Sequence, residues 1–570
     1  MLKNALMSSL FISNISAFFS FISRIITKSF TWGFFARPER LSFAFEKSRI
    51  GSLAILLFQK YTNLLRRCGA FLDRLLRNTL SLWLVKWLGE RFYVLFYVFI
   101  AMHSLLAYEY YRNPITVVAT ALFLVSFSTR VAFDTGATSS DTGAFSPYTE
   151  AQSASGATPS DTGALSSDTD DPSATVAASS VTVAASSVTG VKPSVSGASF
   201  DLKRTDIVFL FYSVTILFSA VYSLFGPGSG SASTTTAILY LCSILLAFII
   251  ANSFTDVKRL LQLIKIIVLS TFVMSIYGLV QFVNRVPVDM SQVDQTTGGA
   301  SLAMGRVSST LGNPNVFAGW LVLVIPFIVS LFFIAKNFRK KLLYLIISLS
   351  AIACLAFTLS RSGWIGVFAA AVVYLFLLNW RLIPAFTVLG VACLPFVPRF
   401  IIDRLMITGN DTSSIYRLSI WAGSFRMALD NWLTGIGIGL EFFKRFFNNY
   451  VYTAYDQAPV HSHMLVLQIW LESGLAAAFA FIWFFLRLIK KGLRAAMSGR
   501  DDHSYILKAC ISSFAGFMAL GAFEYTWFFP RCMNMFFIIT GVFMSALSIA
   551  PNASNASNAP NASNASNARS

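Results

Sequence analysis

The chain has 570 residues, of which 55% are hydrophobic, 15% aromatic and 12% charged, with a formal net charge of +18 and a mean hydropathy of +0.64. Soluble domains carry roughly 25% charged residues, so the composition excludes an ordinary water-soluble enzyme and points to a chain solvated mainly by lipid. The positive excess lies in short clusters beside apolar runs, which speaks against a nucleic-acid partner, and the six scattered cysteines contain no Cys-x-x-Cys pair that would frame a disulfide scaffold or a zinc site.

In chain order, residues 1–91 are basic and aromatic without a clean apolar span, and the first apolar run is too interrupted for a cleaved signal peptide. Within 61–77 the pairs Leu64/Leu65, Phe71/Leu72 and Leu75/Leu76 alternate with Arg66, Arg67, Arg74 and Arg77. That spacing predicts an amphipathic helix, lying either on an anionic membrane surface or as a solvated charged face. Apolar runs long enough to cross roughly 30 Å of hydrocarbon follow near 92–112, 114–133, 206–226, 234–254, 261–283, 315–336, 341–358, 362–379, 382–398, 462–487, 506–528 and 532–550. The expected fold is all-α and polytopic, with about twelve transmembrane helices and a large extracytoplasmic loop, 399–461, between spans nine and ten.

Lysines and arginines orient the bundle. With the N-terminus inside, Lys258 and Arg259, then Lys336, Arg339, Lys340 and Lys341, then Arg487, Lys490, Lys491, Arg494 and Arg500 all fall on the cytoplasmic side. Two low-complexity stretches divide the remainder. Residues 134–200 repeat Asp-Thr-Gly-Ala and then Thr-Val-Ala-Ala-Ser-Ser-Val, and the tail from Pro551 repeats Asn-Ala-Ser. Small polar residues bury too little apolar surface to offset ordering entropy, so both are expected to be disordered. The expected organisation is therefore a basic interfacial region (1–91), two spans (92–133), a linker (134–200), the main membrane domain (201–550) and a tail (551–570).

Polar chemistry gathers in three outward stretches. The first reads Arg306…Thr310-Leu-Gly-Asn313-Pro-Asn315. The second places Arg361 between two tight spans, where an arginine either snorkels to the interface or grips a phosphate with its planar fork. The third, 399–461, carries Arg417 and Trp421 one helical turn apart and then Gly435-Ile-Gly437-Ile-Gly439, and runs into His461-Ser-His463. The arginine and tryptophan suit either a site or an ordinary interface, and the glycines allow a tight turn and close backbone approach, or simply a turn at the membrane surface. Two histidines with no adjacent Cys or Asp do not complete a metal shell, whereas one imidazole is an economical general base; a structural histidine is the alternative. No Walker A loop and no outward Asp-x-Asp pair is present, so a donor reaching this face must be membrane-borne.

These pieces, with Leu359-Ser-Arg361-Ser-Gly-Trp364 and the run Leu467-Gln468…Glu472-Ser-Gly474, resemble the O-antigen ligase and polymerase family, in its order, over roughly 300–475. The resemblance implies a metal-independent, cofactor-free, inverting transfer of a glycan from undecaprenyl pyrophosphate to an acceptor hydroxyl on a glycan or lipid, at the outer face of a bacterial plasma membrane. It implies catalytic roles for His463, Arg361 and Arg417: the arginines hold the donor's pyrophosphate and His463 deprotonates the acceptor. Arg306, Asn313, Asn315, Trp421, His461 and Glu472 would line the substrate pocket. The family places Asn after this histidine where Met464 stands here, which leaves the choice between His461 and His463 open. A lipid-linked glycan flippase or transporter is the rival reading, but such proteins need ionisable groups near the midplane and the spans here are nearly free of them.

Overall fold

The computed structural model describes residues 49–75, 80–107, 113–133, 204–226, 229–287, 305–393, 395, 398–406, 412–450 and 459–549. The expected disorder of 134–200 and of the tail, and most of the basic N-terminal region, lie outside the described residues. The described residues belong to one compact unit and contain helices but no strand. The protein is a polytopic, all-α membrane protein.

The N-terminal helices are α1 (Arg49–Leu75), α2 (Leu80–Glu90), α3 (Phe92–Leu105) and α4 (Asn113–Phe133). After the linker come α5 (Ile207–Phe225), α6 (Ser231–Ser253), α7 (Val257–Val283), α8 (Pro314–Ile334), α9 (Phe338–Phe357), α10 (Arg361–Asn379) and α11 (Leu382–Cys393). The long segment expected as a loop is itself helical, forming α12 (Arg399–Met406), α13 (Thr412–Asp430) and α14 (Leu440–Phe447). The last three are α15 (Leu465–Ser498), α16 (Asp502–Gly521) and α17 (Pro530–Ile549).

Burial sorts these helices. In α8, α16 and α17 about four-fifths of the apolar window is inside the protein, and these three form the centre of the bundle. α10 and α16 touch at Gly366 and Gly516, where a Cβ on either would stand under 3 Å from the other's carbonyl oxygen, as small residues at membrane helix crossings allow. α5 shows the outer-layer pattern. Val208, Tyr212, Ile216, Ser219 and Ser223 turn inward, while Phe211, Val214, Phe218, Val221 and Phe225 are exposed at the 3.6-residue period of a lipid-facing stripe.

Ten of the twelve expected spans are helices long and apolar enough to cross a membrane; α3 and α11 are shorter. α3 was expected to run to 112 but ends at Leu105, because the buried Arg531 captures its terminal carbonyls. Arg531 donates to the carbonyls of His103 (2.7 Å), Ser104 (2.8 Å) and Leu106 (3.0 Å), and also to that of Thr310 (2.9 Å). α11 stops two residues before Pro395, which cannot continue a helix. Residues 61–75 of the expected amphipathic stretch fall within α1, which packs along α4 with Thr62 and Leu65 inward and Leu64 and Phe71 outward; 76 and 77 lie outside the described residues.

Candidate active site

Five segments meet at one end of the bundle: 305–315, the 357–361 turn, α13, residues 459–464 and the 522–529 turn between α16 and α17. Glu524 joins them. Its Oε2 accepts from Arg417 Nη2 (2.9 Å) and from Asn315 Nδ2 (3.0 Å), while Oε1 stands 3.2 Å from His463 Nδ1. Arg306 completes the chain by donating through Nη2 to Asn315 Oδ1 and through Nε to the Thr358 carbonyl, each at 2.9 Å. The Arg306 segment is also pinned by Val307 N–H to the Phe357 carbonyl at 3.0 Å, four residues before Arg361.

Local sequence explains why Asn315 can reach. Asn313 is the N-cap of α8 and accepts from the amides of Asn315 (2.8 Å) and Val316 (3.3 Å), with Pro314 at the first helical position. Asn313 is thus a cap rather than a residue shown at the polar cluster, and its neighbour Asn315 is the one turned toward Glu524.

Burial alone would push the Glu524 carboxyl up. Arg417, the hydrogen bond from His463 and the charges of both histidines outweigh it and hold the group at about 2, so it is a carboxylate at any neutral pH. Arg306 is pushed down to about 10, first by burial and then by repulsion from Arg404 and Arg417, against attraction from Glu524. The guanidiniums of Arg404 and Arg417 therefore act on Arg306 around the Glu524 carboxylate. Such a field favours an anionic ligand.

The two histidines are held by different hydrogen bonds. A carboxylate only accepts, so His463 donates Nδ1–H to Glu524, which leaves Nε2 as the nitrogen that can give up or take a proton. His461 Nδ1 instead accepts the His463 backbone N–H at 3.2 Å, which puts its own proton on Nε2. This separates the pair chemically: His463 has the tautomer of a base backed by a carboxylate. Its backbone adopts φ +53°, a left-handed conformation uncommon outside glycine, and Leu359 (+51°) and Ser309 (+52°) do the same in the facing segments. Gln468 helps hold the turn, accepting Ser462 N–H at 2.8 Å and donating to Glu472 Oε1 at 3.0 Å.

Glu472 belongs to this support rather than to the polar cluster around Glu524. It is buried on α15 against Gln468, with Tyr525 Oη 3.5 Å from Oε2. α15 breaks at Gly474 (φ +81°), which frees carbonyls of the preceding turn. Ile436 N–H takes the Leu471 carbonyl at 2.7 Å, Ser219 Oγ takes that of Glu472 at 2.6 Å, and Leu475 N–H reaches back to Trp432 at 2.8 Å. The Gly-x-Gly-x-Gly stretch makes the close backbone approach that its glycines allow, as a strip docked on a broken helix. It needs glycine because Gly435, Gly437 and Gly439 all have positive φ.

Trp421 stands beside Phe523, ring centroids 6.4 Å apart. Its Nε1 and the Nε of Arg417, one turn earlier on α13, are buried donors with no hydrogen-bond partner among the described residues. Buried donors are rarely left so, and here two share one helical face beside the charged cluster. Of the residues expected from sequence, Arg306, Asn315, Arg417, His461 and His463 come together. Arg361 opens α10 at the same end, and Asn313 and Glu472 buttress the site. Sequence reasoning missed Glu524 and Arg404, and quoted Gln468 in a motif without giving it a role. Glu524 carried one signal: it is the only acidic residue after Asp502.

His461, His463 and Glu524 also place ligand-type atoms within 4.8 Å of one another, a spacing an ion could bridge. The chemistry opposes it, since Arg417 already neutralises Glu524 and the surrounding guanidiniums repel a cation.

A family model described as O-antigen ligase matches residues 347–482, a stretch that includes Arg361, Arg417, both histidines and Glu472 but neither Arg306 nor Glu524. This supports assignment to the O-antigen ligase family and a ligase- or polymerase-type function in surface polysaccharide biosynthesis. No curated protein matches the chain.

Proposed function

We propose that this protein transfers a glycan from undecaprenyl pyrophosphate to an acceptor hydroxyl on the outer face of a bacterial plasma membrane, without a metal ion. The observation that carries the reading is the pair of unpartnered buried donors, Arg417 Nε and Trp421 Nε1, set beside a histidine that is backed by a carboxylate. Arg417, Arg361 and Arg306 face the pyrophosphate and stabilise the charge that develops on it as the glycosidic C–O bond breaks and the electron pair leaves with the phosphate oxygen. His463 Nε2 removes the acceptor's proton as its oxygen attacks the anomeric carbon. Glu524 stabilises the imidazolium that results and fixes the ring, the role a buried carboxylate plays behind a catalytic histidine.

The same hydrogen bonds support an inverting course. A retaining route needs a carboxylate that can become a nucleophile. Both oxygens of Glu524 are held by Arg417, Asn315 and His463, which favours a single displacement with inversion. Polymerisation of repeat units uses the same chemistry with a different acceptor.

Deleting the gene and profiling undecaprenyl-linked intermediates by mass spectrometry tests the proposal. Accumulation of finished lipid-linked glycan outside, with its attached form missing, is the expected result; accumulation of single repeat units would make the protein a polymerase. Intermediates trapped on the inner face would overturn the transferase reading in favour of a flippase.

A further inference from the structure

At the end of the bundle away from the histidine pair, three helices bring two arginines to one tyrosine. Tyr93 stands in the first turn of α3, Arg130 in the last turn of α4 and Arg259 in the first turn of α7. Arg130 Nη1 donates to Tyr93 Oη at 2.6 Å, Arg259 Nη1 donates to the same oxygen, and that hydroxyl donates to the Ser253 carbonyl at 2.8 Å. Both guanidiniums also lie against the Tyr93 ring, 4.9 and 4.4 Å from its centroid. The phenol's hydrogen-bonding capacity is then used up, whereas each guanidinium has further N–H donors to give.

Among the described residues no carboxylate pairs with Arg130 or Arg259. Asp256, the N-cap of α7, is exposed and makes no side-chain cap, so the first amides of α7 retain their partial positive charge. Lys258 and Arg259 add cations at that helix end, where the dipole disfavours them. Two guanidiniums and a helix N-terminus repel one another unless an anion lies among them. On the same two helices Val94, Val98 and Val125 are about half exposed, an apolar flank within two turns of the cluster.

We infer that Arg130, Arg259 and the start of α7 form a binding site for the phosphate of an acidic phospholipid headgroup, with the acyl chains lying along α3 and α4. The site is separate from the transferase centre. Tyr93 and Ser104, whose carbonyl meets Thr310 and Arg531 at the other end, are about 16 Å apart along α3 at 1.5 Å per residue. It stands whether or not the proposed reaction does.

Native mass spectrometry of the full chain in detergent, with phosphatidylglycerol, phosphatidylcholine or inorganic phosphate added, tests this in wild type, in Arg130→Gln/Arg259→Gln and in Arg339→Gln/Lys340→Gln, two exposed cations at the same end. Wild type and the Arg339/Lys340 variant should retain phosphatidylglycerol over phosphatidylcholine, and the Arg130/Arg259 variant should bind it roughly tenfold more weakly or worse. Equal retention by all three, or equal loss in both variants, would overturn a specific site. Displacement by millimolar inorganic phosphate would assign the site to a soluble anion and overturn the headgroup. If the Arg130/Arg259 variant does not accumulate, Tyr93→Phe removes only the oxygen that gathers the guanidiniums; it should weaken phosphatidylglycerol retention several-fold, and an unchanged value would equally overturn the inference.

Discussion

Glu524 sets the properties of its neighbours, so its replacement separates charge from shape. Glu524→Gln keeps the size of the side chain but withdraws the charge that pairs with Arg417 and backs the His463 Nδ1–H. Transfer should fall on the order of 10²-fold or more, as when the carboxylate behind a catalytic histidine is neutralised, while the protein still accumulates in the membrane; activity within a few-fold of wild type would remove Glu524 from the mechanism. Arg361→Ala and Arg417→Ala should each abolish transfer in a cell-free assay with lipid-linked donor, and lysine at either position should restore only part, because an ammonium lacks the planar fork. The same carboxylate bears on stability. Its pKa in the folded protein, about 2, lies below the ordinary 4.5, so its contribution is complete above about 4.5 and is lost as the pH falls toward 2. A thermal midpoint that drops across that window in wild type and drops less in Glu524→Gln is the expected pattern. Arg417 and His463, which the fold brings to Glu524, stood out in the sequence because charged and imidazole groups are conspicuous in apolar surroundings. Glu524 did not, since it enters the site from a turn 61 positions beyond His463. Met464, where an asparagine was expected, leaves the histidine no poorer, because its polar partner is Glu524 rather than the next residue.

At the scale of elements, most helices were readable because one rule, a sustained apolar run, governs them all. The exceptions were tertiary. α3 is cut short by an arginine from α17, which no local pattern announces, whereas the end of α11 at Pro395 was visible in the sequence as a proline. The glycine strip signalled a tight, close-packed backbone but not its partner, a helix break at Gly474, thirty-five residues beyond Gly439. That docking is testable. At Gly435 a Cβ would stand 2.6 Å from the Leu471 carbonyl oxygen, and the backbone there has φ +71°. Gly435→Ala should therefore destabilise the purified protein by more than about 2 kcal/mol and reduce transfer, because the strip shares α15 with Gln468 and the histidine turn. Gly390→Ala is the matched control: it lies within α11 with nothing within 4 Å of the added methyl, and alanine is the better helix former. Differential scanning fluorimetry in detergent should show a lowered midpoint for the first and an unchanged or slightly raised one for the second. Equal midpoints would mean that the strip does not brace α15.

Across the whole molecule, polarity is divided between two ends. The guanidinium–histidine cluster is at one, and Lys258, Arg259, Lys336, Arg339, Lys340, Lys491 and Arg494 lie at the other, because successive spans alternate in direction. Basic loops remain cytoplasmic, so the cluster should face outward, where nucleotide sugars and ATP do not reach and only a lipid carrier can deliver an activated glycan. Cysteine accessibility tests this directly. With Cys68 and Cys393 changed to serine, the other cysteines are buried. Asn449→Cys then places a thiol in the exposed turn after α14, at the cluster end, and Lys340→Cys places one at the basic end. In intact cells a membrane-impermeant maleimide should label Asn449→Cys at once and Lys340→Cys only after permeabilisation. The opposite order would put the histidines and arginines in the cytoplasm, where a soluble activated sugar would be the simpler donor, and the lipid-linked mechanism would lose its physical reason.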